Sequence, residues 1–243
     1  MLIRSYLDVH TPNVNCTLQH NCNSIGRKNY WLGKDDAPRN FIEEYLHQWY
    51  YAFLTGDYKG MEYWVYRSED GNSFDPFHFD KDERDPQITH PKWSACINMT
   101  LDKGATCISD MTYGDIKPRE CIYSYGSEGK TTIWDGNVAW SDMASYEDCK
   151  LYVNVWTDRR PKGLTRSKEM PYYPYTMIKG IYDKCSIIPF EGDNYVTHTH
   201  MCGDLFDHFV IKEPAERNFG ETYRVTDVAV SYTHLTLPTN REV

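Results

Sequence analysis

The sequence predicts a mainly β protein, a sandwich or jelly roll with at least one helix laid against it. Four observations carry this. Seven short runs rich in β-branched and aromatic residues follow one another, over 61–67, 74–80, 93–101, 106–111, 121–125, 131–134 and 149–157. Turn residues punctuate them at Asp70-Gly71, Lys103-Gly104, Tyr113-Gly114-Asp115, Gly126, Gly129 and Asp135-Gly136. No helical pattern intervenes, which argues against a parallel α/β sheet. The aromatic share is 15%, led by 20 Tyr, and such residues suit pleated, half-buried surfaces.

The helix precedes the strands. From Pro38, apolar residues fall at 41, 42, 45, 46, 49, 53 and 54. That is helical spacing, with proline where a first turn tolerates it and Gly56 as a stop. Its apolar stripe is read as packing against a sheet.

Length and charge narrow the partners. A chain of 243 residues suits one large domain or two small ones. The net charge is −9 and Lys and Arg never run longer than a pair, so the basic footprint that a phosphate backbone needs is missing. Nucleic acid and anionic membrane are therefore not expected partners. The first residues, Met-Leu-Ile-Arg-Ser-Tyr-Leu-Asp, show no signal-peptide core, which predicts an intracellular, cytoplasmic setting. The eight cysteines lack Cys-x-x-Cys spacing and are expected to be mostly reduced thiols rather than a structural zinc site.

Residues 1–29 are polar and irregular in pattern, with Asn13, Asn15, Asn21 and Asn23 crowding two cysteines. After Pro161 the character changes, and 163–229 read as a wrapping extension or further strands. The stretch Val230-Ser-Tyr-Thr-His-Leu-Thr-Leu-Pro-Thr239 resembles the in-frame translation of a transposase sequencing adapter. Residues 230–243 are therefore read as non-native, and His234 is set aside as a ligand.

The chemistry is sought first in Phe74-Asp-Pro-Phe-His-Phe-Asp-Lys-Asp-Glu83. His78 and Asp80 stand two apart, so on a strand both side chains leave one face. An imidazole and a carboxylate there are two thirds of a facial triad for non-haem Fe(II). Alone, a His-x-Asp pair is a weak signal; the ordered pieces around it strengthen it. Gly60-Met-Glu-Tyr-Trp-Val-Tyr66 precedes it, and Pro91-Lys-Trp-Ser-Ala-Cys-Ile-Asn-Met-Thr100 with Gly104-Ala-Thr106 follows. Gly129-Lys-Thr-Thr-Ile-Trp-Asp-Gly136, Lys150-Leu-Tyr-Val-Asn-Val-Trp156 and Arg160-Pro161 complete the order.

Over residues 30–162 this order resembles the Fe(II)/2-oxoglutarate-dependent oxygenase superfamily, in an uncharacterised eukaryotic branch. The resemblance implies a double-stranded β-helix, a cupin-like jelly roll, as the domain at 30–162. It implies Fe(II) held by His78 and Asp80, and 2-oxoglutarate bound by Lys150 as the cation for its distal carboxylate. The implied activity is that of a hydroxylase-type dioxygenase. The family's second histidine is missing: register forward from Asp135-Gly136 and back from Lys150 places Trp140 there. An indole offers an N–H and no lone pair to a metal, and no histidine occurs from 91 to 197. Candidates for a third ligand are Asp142, on the same strand face as position 140, His90, and the more distant His198 and His200.

Two alternatives stay open. Trp140 could fill the metal cavity, leaving a catalytically inactive jelly-roll binding domain. Alternatively, Gly192-Asp-Asn-Tyr-Val-Thr-His198-Thr-His200, with Asp204 beyond, partly matches a first cupin motif and could form its own metal site. No nucleophile elbow and no phosphate-binding glycine loop is present. The substrate is not legible.

Overall fold

The structure is a computed structural model, and it describes residues 3–7, 28–67, 75–100, 104–115, 117–143, 149–169, 183–184, 187–191, 193–202, 207–215, 218, 220–226 and 228–230. Two facing sheets form a jelly roll. In chain order the first elements are β1 (Ile3–Leu7), β2 (Tyr30–Gly33), α1 (Phe41–Phe53) and β3 (Gly60–Arg67). Then come β4 (Trp93–Asn98), β5 (Ala105–Thr112), β6 (Cys121–Tyr125), β7 (Thr131–Asp135), β8 (Val138–Met143) and β9 (Cys149–Trp156). Beyond them lie β10 (Asp183–Lys184), β11 (Ile187–Pro189), β12 (Tyr195–Cys202), β13 (Asp207–Pro214), β14 (Thr222–Val225) and β15 (Val228–Val230).

The first sheet runs β10-β1-β7-β4-β9-β3-β2 and the second β11-β14-β6-β5-β8. His78 adds an antiparallel bridge to Trp140 at the β8 edge of the second sheet. From Gly60 to Trp156 the chain thus crosses repeatedly between sheets: β3, β4, β7 and β9 lie in one, and the His78 bridge, β5, β6 and β8 in the other. That alternation is the double-stranded β-helix. A third sheet, β12-β13-β15, packs on the second through Phe209, whose ring centroid is 5.0 Å from that of Phe77.

Period-two alternation sorts the side chains into layers. On the outer face of the first sheet, Met61, Tyr63, Val65, Ala95, Ile97, Val153 and Val155 meet Phe41, Ile42, Leu46, Trp49 and Phe53 of α1. Asn40 caps this helix, its side chain accepting from the Glu43 N–H at 3.0 Å. Glu43 is buried and ties the helix to the chain after the roll. It accepts from Tyr63 Oη at 3.1 Å, Ser167 Oγ at 2.7 Å and an Arg166 nitrogen at 2.5 Å. The facing inner surfaces enclose Cys96, Trp134 and Tyr152 from one sheet and Ile108, Ile122, Val138 and Trp140 from the other.

The expected helix and six of the seven expected strands are present within a few residues of their predicted limits. Phe74–Asp80 differs: it is an extended passage with a bridge at His78 rather than a strand. Strand β8 was not among the seven expected runs, and only the resemblance set 140 and 142 on a strand, because Val138–Met143 is buried throughout and shows no alternation of polar and apolar residues. Strand β1 lies within the segment read as irregular. Between 163 and 229, β11 and β14 extend the second sheet while β12 and β13 belong to the third. Cys96, Cys107, Cys121 and Cys149 are buried and in the thiol form. No helix among the described residues is long and apolar enough to cross a membrane. Residues 231–243 lie outside the described ones.

Candidate functional site

The site is built where the 75–80 passage runs beside β8. The Asp75 N–H donates to the Asp142 carbonyl at 3.0 Å, and Ser141 Oγ donates to the Asp75 carbonyl at 2.6 Å. His78 and Trp140 exchange two backbone hydrogen bonds, each 3.0 Å. Directly opposed residues of an antiparallel pair share a face, and the His78 and Trp140 rings do so with centroids 4.5 Å apart. Phe77 and Phe79 alternate to the other side, into the core beneath the third sheet.

His78 is half-buried, with Nδ1 2.9 Å from the Pro76 carbonyl. A carbonyl only accepts, so Nδ1 carries a proton, and in the neutral ring the lone pair is on Nε2. Asp80 is buried, and its Oδ2 accepts from the Trp140 indole Nε1–H at 2.8 Å. Ser94 Oγ lies 2.8 Å from the same oxygen. Trp140 is itself buried, with ring centroids 5.3 Å from Trp134 and 5.0 Å from Tyr152. It fills the space facing both His78 and Asp80.

Lys150 and Asp142 meet each other. Lys150 Nζ lies 2.7 Å from Asp142 Oδ1, with side chains 0% and 2% exposed. Lys150 sits on β9 of the first sheet and Asp142 on β8 of the second, so this pair ties the sheets across the interior. His90 turns to the main chain, its Nδ1 donating to the Asp80 carbonyl at 2.7 Å. His198 and His200 pair in register with Ile211 and Phe209. Their side chains, and the whole of Asp204, lie outside the described residues.

The described side chains do not suit Fe(II) with three protein ligands. The position opposite His78 presents an N–H donor, and that donor is spent on Asp80. Asp142 is bound to Lys150, and His90 has turned to a backbone carbonyl. Among the described residues, no three His, Cys, Asp or Glu side chains are grouped to hold a metal ion. The cation expected to receive the distal carboxylate of 2-oxoglutarate already has a carboxylate.

Three residues of the site were not singled out in the sequence. Register places Glu62 opposite Asn154, and Asn154 opposite Ser94, so one rung of the first sheet carries three polar side chains inward. Ser94 Oγ is 2.8 Å from Asn154 Oδ1 as well as from Asp80. Glu62 accepts from Asn29 Nδ2 at 2.8 Å and Trp156 Nε1 at 3.3 Å, and from the Asn154 amide. Burial pushes the Glu62 carboxyl up to about 7, with the Asp80 charge acting the same way against its hydrogen-bond donors. A polar residue in step with the inward positions of these strands was the available signal. A separate cavity of about 650 Å³, bounded by Asp110, Arg119, Glu120, Asp135 and Asn137, touches none of the predicted site residues.

No protein-family model matches the chain, and no curated protein matches it. Among solved structures the chain is similar to a prolyl-4-hydroxylase from Pseudomonas putida, at 16% sequence identity and a TM-score of 0.41, over 64% of this chain and 88% of that one.

Proposed function

We propose that this chain is a non-catalytic jelly-roll binding domain, an oxygenase-type roll whose metal and co-substrate positions are filled by its own side chains. The observation that carries the reading is on one strand. Trp140 and Asp142, two apart on β8 and both inward, engage the two groups to which the family resemblance gives a role. The indole N–H supplies Asp80 with a partner in place of a metal, and the Asp142 carboxylate supplies Lys150 with one in place of the co-substrate. Each replacement leaves its partner hydrogen-bonded or ion-paired without a ligand, which a buried charge requires.

One observation favours a second reading, a weakened dioxygenase with an altered triad. A ligating histidine is usually oriented by donating its other N–H to a carbonyl, and His78 makes that bond to Pro76. Anaerobic titration with Fe(II) and 2-oxoglutarate separates the two. The closed-site reading expects no visible metal-to-ligand charge-transfer band with the wild-type protein. A band that disappears in His78→Ala overturns it in favour of the dioxygenase.

A further inference from the structure

Ser94 faces two acceptors with one proton. Its Oγ is 2.8 Å from Asp80 Oδ2 and 2.8 Å from Asn154 Oδ1, and a hydroxyl donates once. Asn154 is the only side chain between Ser94 and Glu62 in this rung, and an amide reverses its donor and acceptor ends by a half turn. We propose that Glu62, Asn154 and Ser94 form a reversible hydrogen-bond relay, in which one proton on Glu62 decides whether the Ser94 hydroxyl is divided between Asn154 and Asp80 or given wholly to Asp80, and so tunes the Asp80–Trp140 contact.

The two states follow from donor counting. With Glu62 charged, the Asn154 amide N–H donates to it, the amide oxygen faces Ser94, and the one Ser94 proton is contested between that oxygen and Asp80 Oδ2, each 2.8 Å away. Asp80 Oδ2 then keeps the Trp140 N–H and only shares the hydroxyl. With Glu62 neutral, its O–H donates to the Asn154 oxygen, the turned amide donates to Ser94 Oγ, and Ser94 donates to Asp80. The chain of bonds then points one way from Glu62 to Asp80, and Asp80 Oδ2 holds two donors.

Buried networks of this kind polarise one another, so the change at one end is felt at the other. The groups acting on Glu62 are the Asp80 charge and the neutral donors Asn29, Asn154 and Trp156, with Trp31 opposite it on β2. The switch falls in a useful range because burial and the Asp80 charge bring the Glu62 proton to about 7. Below that pH the neutral state holds, and above it the charged one.

The relay rests on the reading that Trp140 closes the site, yet its test needs no metal. The probe is the Trp140 indole N–H in ¹⁵N-tryptophan-labelled full-length protein, assigned by its loss in Trp140→Phe and followed from pH 5 to 9. The expected result is a downfield shift with rising pH, centred near 7, as the indole becomes the main donor to Asp80. In Glu62→Gln the shift should vanish while the indole signal stays dispersed. A pH-independent Trp140 signal in the wild type, or the same titration in Glu62→Gln, overturns the relay. Should Glu62→Gln fail to fold, ¹³C-carboxyl titration of the wild type decides: Glu62 and the Trp140 indole must share one midpoint. Absence of the relay would leave the iron titration unaffected, and iron binding would sink the closed-site reading whatever the indole does.

Discussion

Lys150→Ala is expected to destabilise the protein by about 3–5 kcal/mol, because it leaves the Asp142 carboxylate buried without its counter-charge. Both groups have left water, so each depends on the other. Asp142→Ala strands the ammonium in the same way and should cost a similar amount. The pair itself is a different matter. Desolvating two ions offsets much of their attraction, so replacing both by apolar groups of similar size is often neutral. Lys150→Met combined with Asp142→Leu should therefore recover most of what either alanine variant loses. Urea-denaturation midpoints of the four proteins check this. Single variants close to wild type would show that the pair contributes nothing across the sheets.

Trp140→Ala is expected to cost about as much, roughly 3–5 kcal/mol for the cavity left between His78, Trp134 and Tyr152. Asp80 would also lose a donor. Trp140→Phe separates the two contributions, since it keeps most of the ring packing and removes the N–H. Losing a hydrogen bond to a charged group should cost about 1–3 kcal/mol. The same denaturation series measures both variants. If Phe and Ala destabilise equally, the hydrogen bond and not the filled volume dominates; if Phe is silent, the Asp80 contact contributes little.

Much of the roll was legible because its strands alternate and its helix repeats. The stripe at 41, 42, 45, 46, 49 and 53 became the face of α1 that covers the first sheet. Counting register from Asp135-Gly136 and from Lys150 set Trp140 where a metal ligand would stand, and the structure pairs it with His78. Pattern alone did not mark β8 as a strand, because both of its faces are buried, which erases the alternation. Asp142 and Lys150 were weighed separately, one as a ligand and one as a co-substrate cation. That they meet each other depends on β8 and β9 lying in opposite sheets, which a separation of eight residues does not reveal. Glu62, Ser94 and Asn154 converge through register between strands distant in sequence, and local pattern carries no such information.

The closure by Trp140 and Asp142 is tested most directly by undoing it. Trp140→His restores an imidazole opposite His78, and Asp142→Ala, made in the same protein, releases Lys150 for an external carboxylate. Anaerobic titration of this double variant with Fe(II) and 2-oxoglutarate, beside the wild type, should give a charge-transfer band in the variant and none in the wild type. A wild-type protein that develops the band as strongly as the variant, or a variant that keeps its fold and develops none, would contradict the account.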